Sequence, residues 1–65
     1  DEGKVSLNQA DAEKLMTLPG IGPAMADNII AYRREHGAFT SIDELQKVKG
    51  IGPAKFQKLK DQVGL

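Results

Sequence analysis

Leu18-Pro19-Gly20-Ile21-Gly22-Pro23-Ala24 returns later in the chain as Val48-Lys49-Gly50-Ile51-Gly52-Pro53-Ala54. At this offset Gly20, Ile21, Gly22, Pro23 and Ala24 equal Gly50, Ile51, Gly52, Pro53 and Ala54, and Leu15 falls on Leu45. One G-x-G is weak evidence of anything. An unbroken identity recurring within 65 residues, each time between two apolar-periodic stretches, marks a duplicated structural unit.

Working outward, each copy reads as helix, tight bend, helix. Pro19 disfavours the α region at Leu18, and Gly20 permits dihedrals closed to other residues, so a first helix ends near Thr17. Asp11 suits its N-cap, and Ala12, Leu15 and Met16 give its apolar side. Pro23 suits the first position of a second helix, because proline there loses no hydrogen bond. That helix runs to about Glu35 on a stripe of Ala26, Ile29, Ile30 and Arg33, widened by Met25 and Tyr32. Gly37 fits the residue just past its end.

The second copy repeats the plan. Ser41-Ile42-Asp43-Glu44 has capping-box form, with Ile42 and Leu45 as the apolar side. Pro53 opens a last helix carrying Phe56, Leu59 and Val63. Phe39, in the joint, reads as a core plug. Val5-Ser6-Leu7-Asn8-Gln9 is too short to predict as a strand; it reads as an extended lead-in, with Val5 and Leu7 touching the core and Asn8 as turn chemistry. The predicted class is all-α.

A lone helix pair of this size cannot hide its apolar stripe, whereas two stacked copies can. The expectation is one domain over 1–65, with repeat one at about 11–36, repeat two at about 41–63, and a flexible segment at 1–4. The copies should be related by a pseudo-two-fold, with both Gly-Ile-Gly bends on one side of the molecule.

Composition excludes several classes. There is no cysteine and one histidine, so disulfide frameworks, cysteine zinc sites and His-rich metal sites are ruled out. No apolar run approaches the roughly 20 residues of a membrane helix. A chain opening on Asp1 rather than Met reads as an excised or processed segment. Formal net charge is zero, but it is unevenly spread. Residues 1–31 carry five acids against two bases, and residues 32–65 carry seven bases against four acids. From Leu45 to Lys60 there are five lysines and no acid, a hint of a polyanionic partner.

Each bend leads into a helix N-terminus, where the first amides lack internal partners and the helix dipole places roughly half a positive charge. A glycine bend there lets an anion approach the backbone closely. The candidate donors are the amides of Gly20, Ile21, Gly22, Ala24 and Met25 in copy one, and of Gly50, Ile51, Gly52, Ala54 and Lys55 in copy two. Lys49 and Lys55 add ammonium groups to copy two.

The pattern Leu15-x-x-Leu18-x-Gly20-Ile21-Gly22-x-x-x-Ala26-x-x-Ile29-Ile30 resembles the helix-hairpin-helix signature at every position. Leu45-x-x-Val48-x-Gly50-Ile51-Gly52 matches as far as the hairpin; Phe56 then stands where alanine is usual and Lys60 replaces an apolar residue, which predicts a more open helix crossing in copy two. Val5 to Ala12, Ala31-Tyr32-Arg33 and Gly37 to Leu45 further resemble the DNA-binding domain of ComEA-type competence proteins. The resemblance covers about residues 5–63. It implies a tandem, SAM-like domain of four to five helices that binds double-stranded DNA without sequence preference, across the minor groove, in DNA uptake for natural transformation. Hairpin amides would hold phosphate oxygens, contacts that position a protein without reading bases. The DNA-contacting residues implied are Gly20, Ile21, Gly22, Ala24, Gly50, Ile51, Gly52, Ala54, Lys49 and Lys55.

The resemblance also implies an extracytoplasmic location, no membrane contact by the domain itself, no small-molecule substrate and no cofactor, although some hairpins of the family hold a monovalent cation on turn carbonyls. Pro19 and Met25 replace Lys49 and Lys55 in copy one, so copy two is expected to dominate binding, with Arg33 or Arg34 as candidate help for copy one. No catalytic residue is predicted: Asp27 and Asp61 read as solvated, and His36 as a helix-end residue. Two rivals stay open, a cytoplasmic repair or recombination accessory within a longer chain, and a protein-interaction or dimerisation module.

Overall fold

Asp11 starts the first helix as its side chain suits, accepting the Lys14 amide on Oδ1 at 2.9 Å, and α1 follows over Ala12–Leu15. The computed structural model describes residues 3–65. The flexible segment expected at 1–4 begins with Asp1 and Glu2, which lie outside the described residues; Gly3 and Lys4 are exposed. After α1 come α2 (Pro23–His36), a 3-10 helix (Ile42–Lys47), α3 (Pro53–Leu59) and a 3-10 turn (Lys60–Gln62). Two short strands, β1 (Val5–Ser6) and β2 (Val63–Gly64), flank the helices. Both long helices open on proline, and α2 ends at Gly37 in a positive-φ conformation (83°) that glycine adopts without strain.

The fold is all-α in its packing, and the duplication is visible in the core. Leu15, Leu18, Ile21, Ala26 and Ile29 are buried, and so are their counterparts Leu45, Val48, Ile51, Phe56 and Leu59. All ten belong to one hydrophobic cluster, completed by Val5, Leu7, Ala10, Phe39 and Val63. Each copy thus lends its apolar stripe to a single shared interior, the arrangement that short helices need.

Several local expectations are corrected. The lead-in is paired: β1 runs parallel to β2, with Val5 opposite Val63 and Ser6 opposite Gly64. The Leu7 amide continues the pairing to the Gly64 carbonyl at 2.9 Å. Val63, read as the last position of a helical stripe, instead lies in β2, because α3 ends at Leu59 and the chain straightens after the 3-10 turn. The first helix of copy two is 3-10 throughout. Its capping box is incomplete, since Ser41 makes no side-chain cap bond. Glu44 reaches back one residue further, accepting the Thr40 amide at 2.9 Å and the Tyr32 hydroxyl at 2.9 Å. The Thr40 amide, followed by the Tyr32 hydroxyl, holds the Glu44 carboxyl below its ordinary pKa. That contribution is present at neutral pH and is lost as pH falls through the lowered value.

Side chains also tie the lead-in to the helices. Asn8 exchanges two hydrogen bonds with the Phe39 backbone, and Arg33 donates from Nη1 to the Leu7 carbonyl at 2.9 Å. Arg33 thus spends one guanidinium N–H on holding the lead-in.

Candidate nucleic-acid interface

Each bend is a four-residue turn closed by one hydrogen bond, Ile21 N–H to the Leu18 carbonyl at 3.2 Å and Ile51 N–H to the Val48 carbonyl at 3.0 Å. The third turn residue, Gly20 or Gly50, has φ of 79° or 93°, as a type II turn demands. Leu18 and Ile21 insert into the core on either side of the first bend, as Val48 and Ile51 do on the second. Pro19, Gly20, Gly22, Pro23 and Ala24 stay exposed, and so do Lys49, Gly50, Gly52, Pro53 and Ala54. The apolar pegs fix each bend while its backbone faces solvent.

The closing bonds correct one expectation: the amides of Ile21 and Ile51 are engaged within the turns. The first backbone bond of α2 runs from Ala26 N–H to the Gly22 carbonyl, and that of α3 from Phe56 N–H to the Gly52 carbonyl. Ahead of them, the amides of Gly22, Ala24 and Met25, and of Gly52, Ala54 and Lys55, have no protein acceptor among the described residues. Neither helix carries an acid in its first turn, and neither glycine N-cap offers a side chain to occupy those amides. The positive end of each dipole is left open to an anion from outside.

Gly22 and Gly52 are not required by the fold. Both have extended backbones (φ −95° and −96°), and a Cβ on either would meet nothing within 4 Å. Serine is the better N-cap residue by a few tenths of a kcal/mol. Gly22→Ser is accordingly expected to leave the melting temperature equal or slightly raised. A hydrogen bond to a charged group is worth about 1.5–3 kcal/mol, so filling this approach should weaken anion binding about tenfold or more. Parallel melting and binding measurements check it; unchanged binding would show that the bend is not the contact.

The bends are also brought together. Met25 of copy one packs on Gly50, whose added Cβ would lie 2.9 Å from the Met25 sulfur. Lys55, the Met25 counterpart, reaches the other way and places Nζ 3.3 Å from the Gly20 carbonyl. Asn28 donates to the Lys49 carbonyl at 3.1 Å, bracing the second bend from α2. Each bend therefore leans on the first turns of the opposite copy's long helix, as a pseudo-two-fold requires, and the two bends with their helix starts form one continuous surface.

Among the described residues, the charge on this surface is unopposed. The only Lys, Arg or His nitrogen among them within 4.0 Å of a carboxylate oxygen is His36 Nε2, 3.9 Å from Glu35 Oε2, so Lys49, Lys55 and Lys58 have no acidic partner there. Lys58, absent from the sequence-derived set, lines a hollow with Pro19, Gly20, Ala54 and Lys55. Asp27 and Asp61 are exposed, and the His36 ring lies 4.3 Å from that of Tyr32 at the far end of α2. No group of His, Cys, Asp and Glu among the described residues is arranged to hold a metal ion.

Comparison with known proteins agrees with this geometry. The family model described as "Helix-hairpin-helix motif" matches residues 1–64. ComE operon protein 1 of Bacillus subtilis (strain 168) is 44% identical over 66 residues, covering 97% of this chain and 32% of that protein. Endonuclease/exonuclease/phosphatase family domain-containing protein 1 of Homo sapiens is 35% identical over 63 residues, covering 97% of this chain and 11% of that protein. An uncharacterized protein of Haemophilus influenzae is 38% identical over 61 residues, covering 92% of this chain and 54% of its own length. The chain thus spans between about a tenth and about half of these relatives.

Proposed function

The chain belongs to the helix-hairpin-helix motif family, and on that premise we propose that it binds double-stranded DNA without sequence preference, its two bends holding phosphates of the two strands across the minor groove. The observation that carries this is the pairing of the bends: two sets of amides, side by side, with no first-turn acid, and lysines, both without partners among the described residues. Amides of Gly20, Gly22, Ala24, Gly50, Gly52 and Ala54 offer hydrogen bonds to phosphate oxygens, and Lys49 and Lys55 add charge. Ile21 and Ile51 contribute by pegging the turns. All these groups address the backbone of the nucleic acid, which is the same for every sequence.

Likeness to ComE operon protein 1 supports a place in competence-related DNA uptake, with the domain outside the cytoplasmic membrane. No described helix is long and apolar enough to cross a membrane. The unit is a holder of DNA and not a catalyst in this role, and it needs no small-molecule substrate. A monovalent cation on turn carbonyls is the one ligand the family resemblance adds. In the first bend, the Leu18 carbonyl accepts the Ile21 amide and the Gly20 carbonyl accepts the Lys55 ammonium, so that bend already meets a cation from its own chain. A second reading, a cytoplasmic repair or recombination accessory within a longer chain, is favoured by the relative named for an endonuclease/exonuclease/phosphatase family domain, of which the matched region forms 11%.

If about four phosphates are neutralised, the slope of log K against log[salt] is expected near −3.6, with micromolar-or-weaker affinity. Titration of a duplex at several salt concentrations measures it. A flat response, or tighter binding as salt rises, would favour an apolar protein-docking surface instead.

A further inference from the structure

We infer that the two copies form a composite phosphate clamp, in which Lys55 and Lys58 of copy two supply the cationic contacts for the DNA strand held by the first bend. This rests on the duplex-binding role proposed above and assigns its charges. Taken copy by copy, the first bend has no charge of its own, because Pro19 and Met25 stand where the second has Lys49 and Lys55. In space the deficit is filled from across the pseudo-two-fold. The Lys55 ammonium lies 3.3 Å from the Gly20 carbonyl and 3.6 Å from where a Gly20 side chain would begin. Lys58, one turn further along α3, lines the same hollow beside Pro19 and Gly20. Its counterpart Asn28 has the matching position over the second bend, where it donates to the Lys49 carbonyl. The residue at this repeat position thus faces the opposite copy's bend in both halves. Asn28 is short and half-buried and braces the backbone; Lys58 is longer, exposed and without an acidic partner among the described residues. It adds a positive charge where a strand on the Gly22 and Ala24 amides must pass.

The sequence therefore misplaces the charge asymmetry. Lys49 serves the second bend, whereas Lys55 and Lys58 serve the first, so neither hairpin is electrostatically bare and neither copy is a complete binding unit alone.

The test is a set of duplex titrations across salt concentrations, read as slope and affinity, with Lys60→Ala as a control of equal charge change. Lys60 is exposed at the end of α3 and lies outside the hollow. Lys58→Ala should reduce the magnitude of the slope by about 0.9 and weaken binding about fivefold near 0.15 M salt. Lys60→Ala should leave both unchanged. Combined with Gly22→Ser, which obstructs the first bend, Lys58→Ala should lose most of its effect; combined with Gly52→Ser it should keep it. Equal effects of Lys58→Ala and Lys60→Ala would overturn the assignment, as would coupling of Lys58 to Gly52 instead of Gly22. Absence of salt-dependent binding by the unaltered chain would instead remove the duplex role itself.

Discussion

Leu15→Ala is expected to unfold both copies together. Leu15 is fully buried and sits in the same cluster as its counterpart Leu45 and the rest of the second copy's stripe. Removing a buried leucine to alanine costs about 2–5 kcal/mol. A chain of this length has about 3–10 kcal/mol of stability in total, so the loss consumes a large share of it. For a domain this small the melting temperature should fall on the order of 10–30 °C. The transition should remain single, because the interior being disrupted belongs to both repeats. Thermal unfolding followed by circular dichroism, with amide exchange read separately at Leu18 to Ile29 and Val48 to Leu59, checks the point. Protection that survives in the second copy while the first opens would mean that the repeats are independent units.

Lys49→Ala combined with Lys55→Ala carries the largest expected effect on binding. Two lost phosphate contacts should take the salt slope from about −3.6 to about −1.8 and weaken binding about thirtyfold near 0.15 M salt, about 2 kcal/mol. Lys49 is exposed and Lys55 only half-buried, with no ion pair at either among the described residues, so the fold should tolerate the change. The loss should be equal for duplexes of different sequence, since phosphate contacts carry no base information. A loss confined to certain sequences would place these side chains in a groove, reading base edges. No loss at all would move the contact surface elsewhere.

The repeat, the proline-led helices and the glycine stop after α2 were all legible in the sequence, because each rests on a local rule: an identity at fixed offset, a ring that fixes φ, a residue free to take positive φ. The engaged amides of Ile21 and Ile51 were misread as free donors although the signal was local, for Leu18-Pro19-Gly20-Ile21 carries proline and glycine at the two central positions of a type II turn, whose fourth residue donates the closing bond. What escaped depends on distance along the chain. β1 and β2 are two residues each and pair across the whole length of the domain, which no periodicity announces. The bracing by Asn8 and Arg33 is equally non-local. Periodicity marks Ile42 and Leu45 as helical but does not separate a 3-10 from an α turn over so few residues. Lys58 was missed for a related reason. A repeat offset tells which residues are equivalent, but the crossing of the helices decides which bend each one faces, and that crossing is set by the packing of the shared core.

The parallel seam between Val5–Ser6 and Val63–Gly64 has a mechanical consequence. The two strands point the same way, so the chain comes in at one end of the pair and goes out at the other. Tension drawn through both ends pulls β1 backward and β2 forward along a common axis. The bonds of the seam, including Leu7 N–H to the Gly64 carbonyl and Ser6 Oγ to the Leu65 carbonyl, then resist in shear and must break as a group, where an antiparallel seam would unzip one rung at a time. A small unit pulled through both of its ends is thereby fastened in the direction in which it would be stretched.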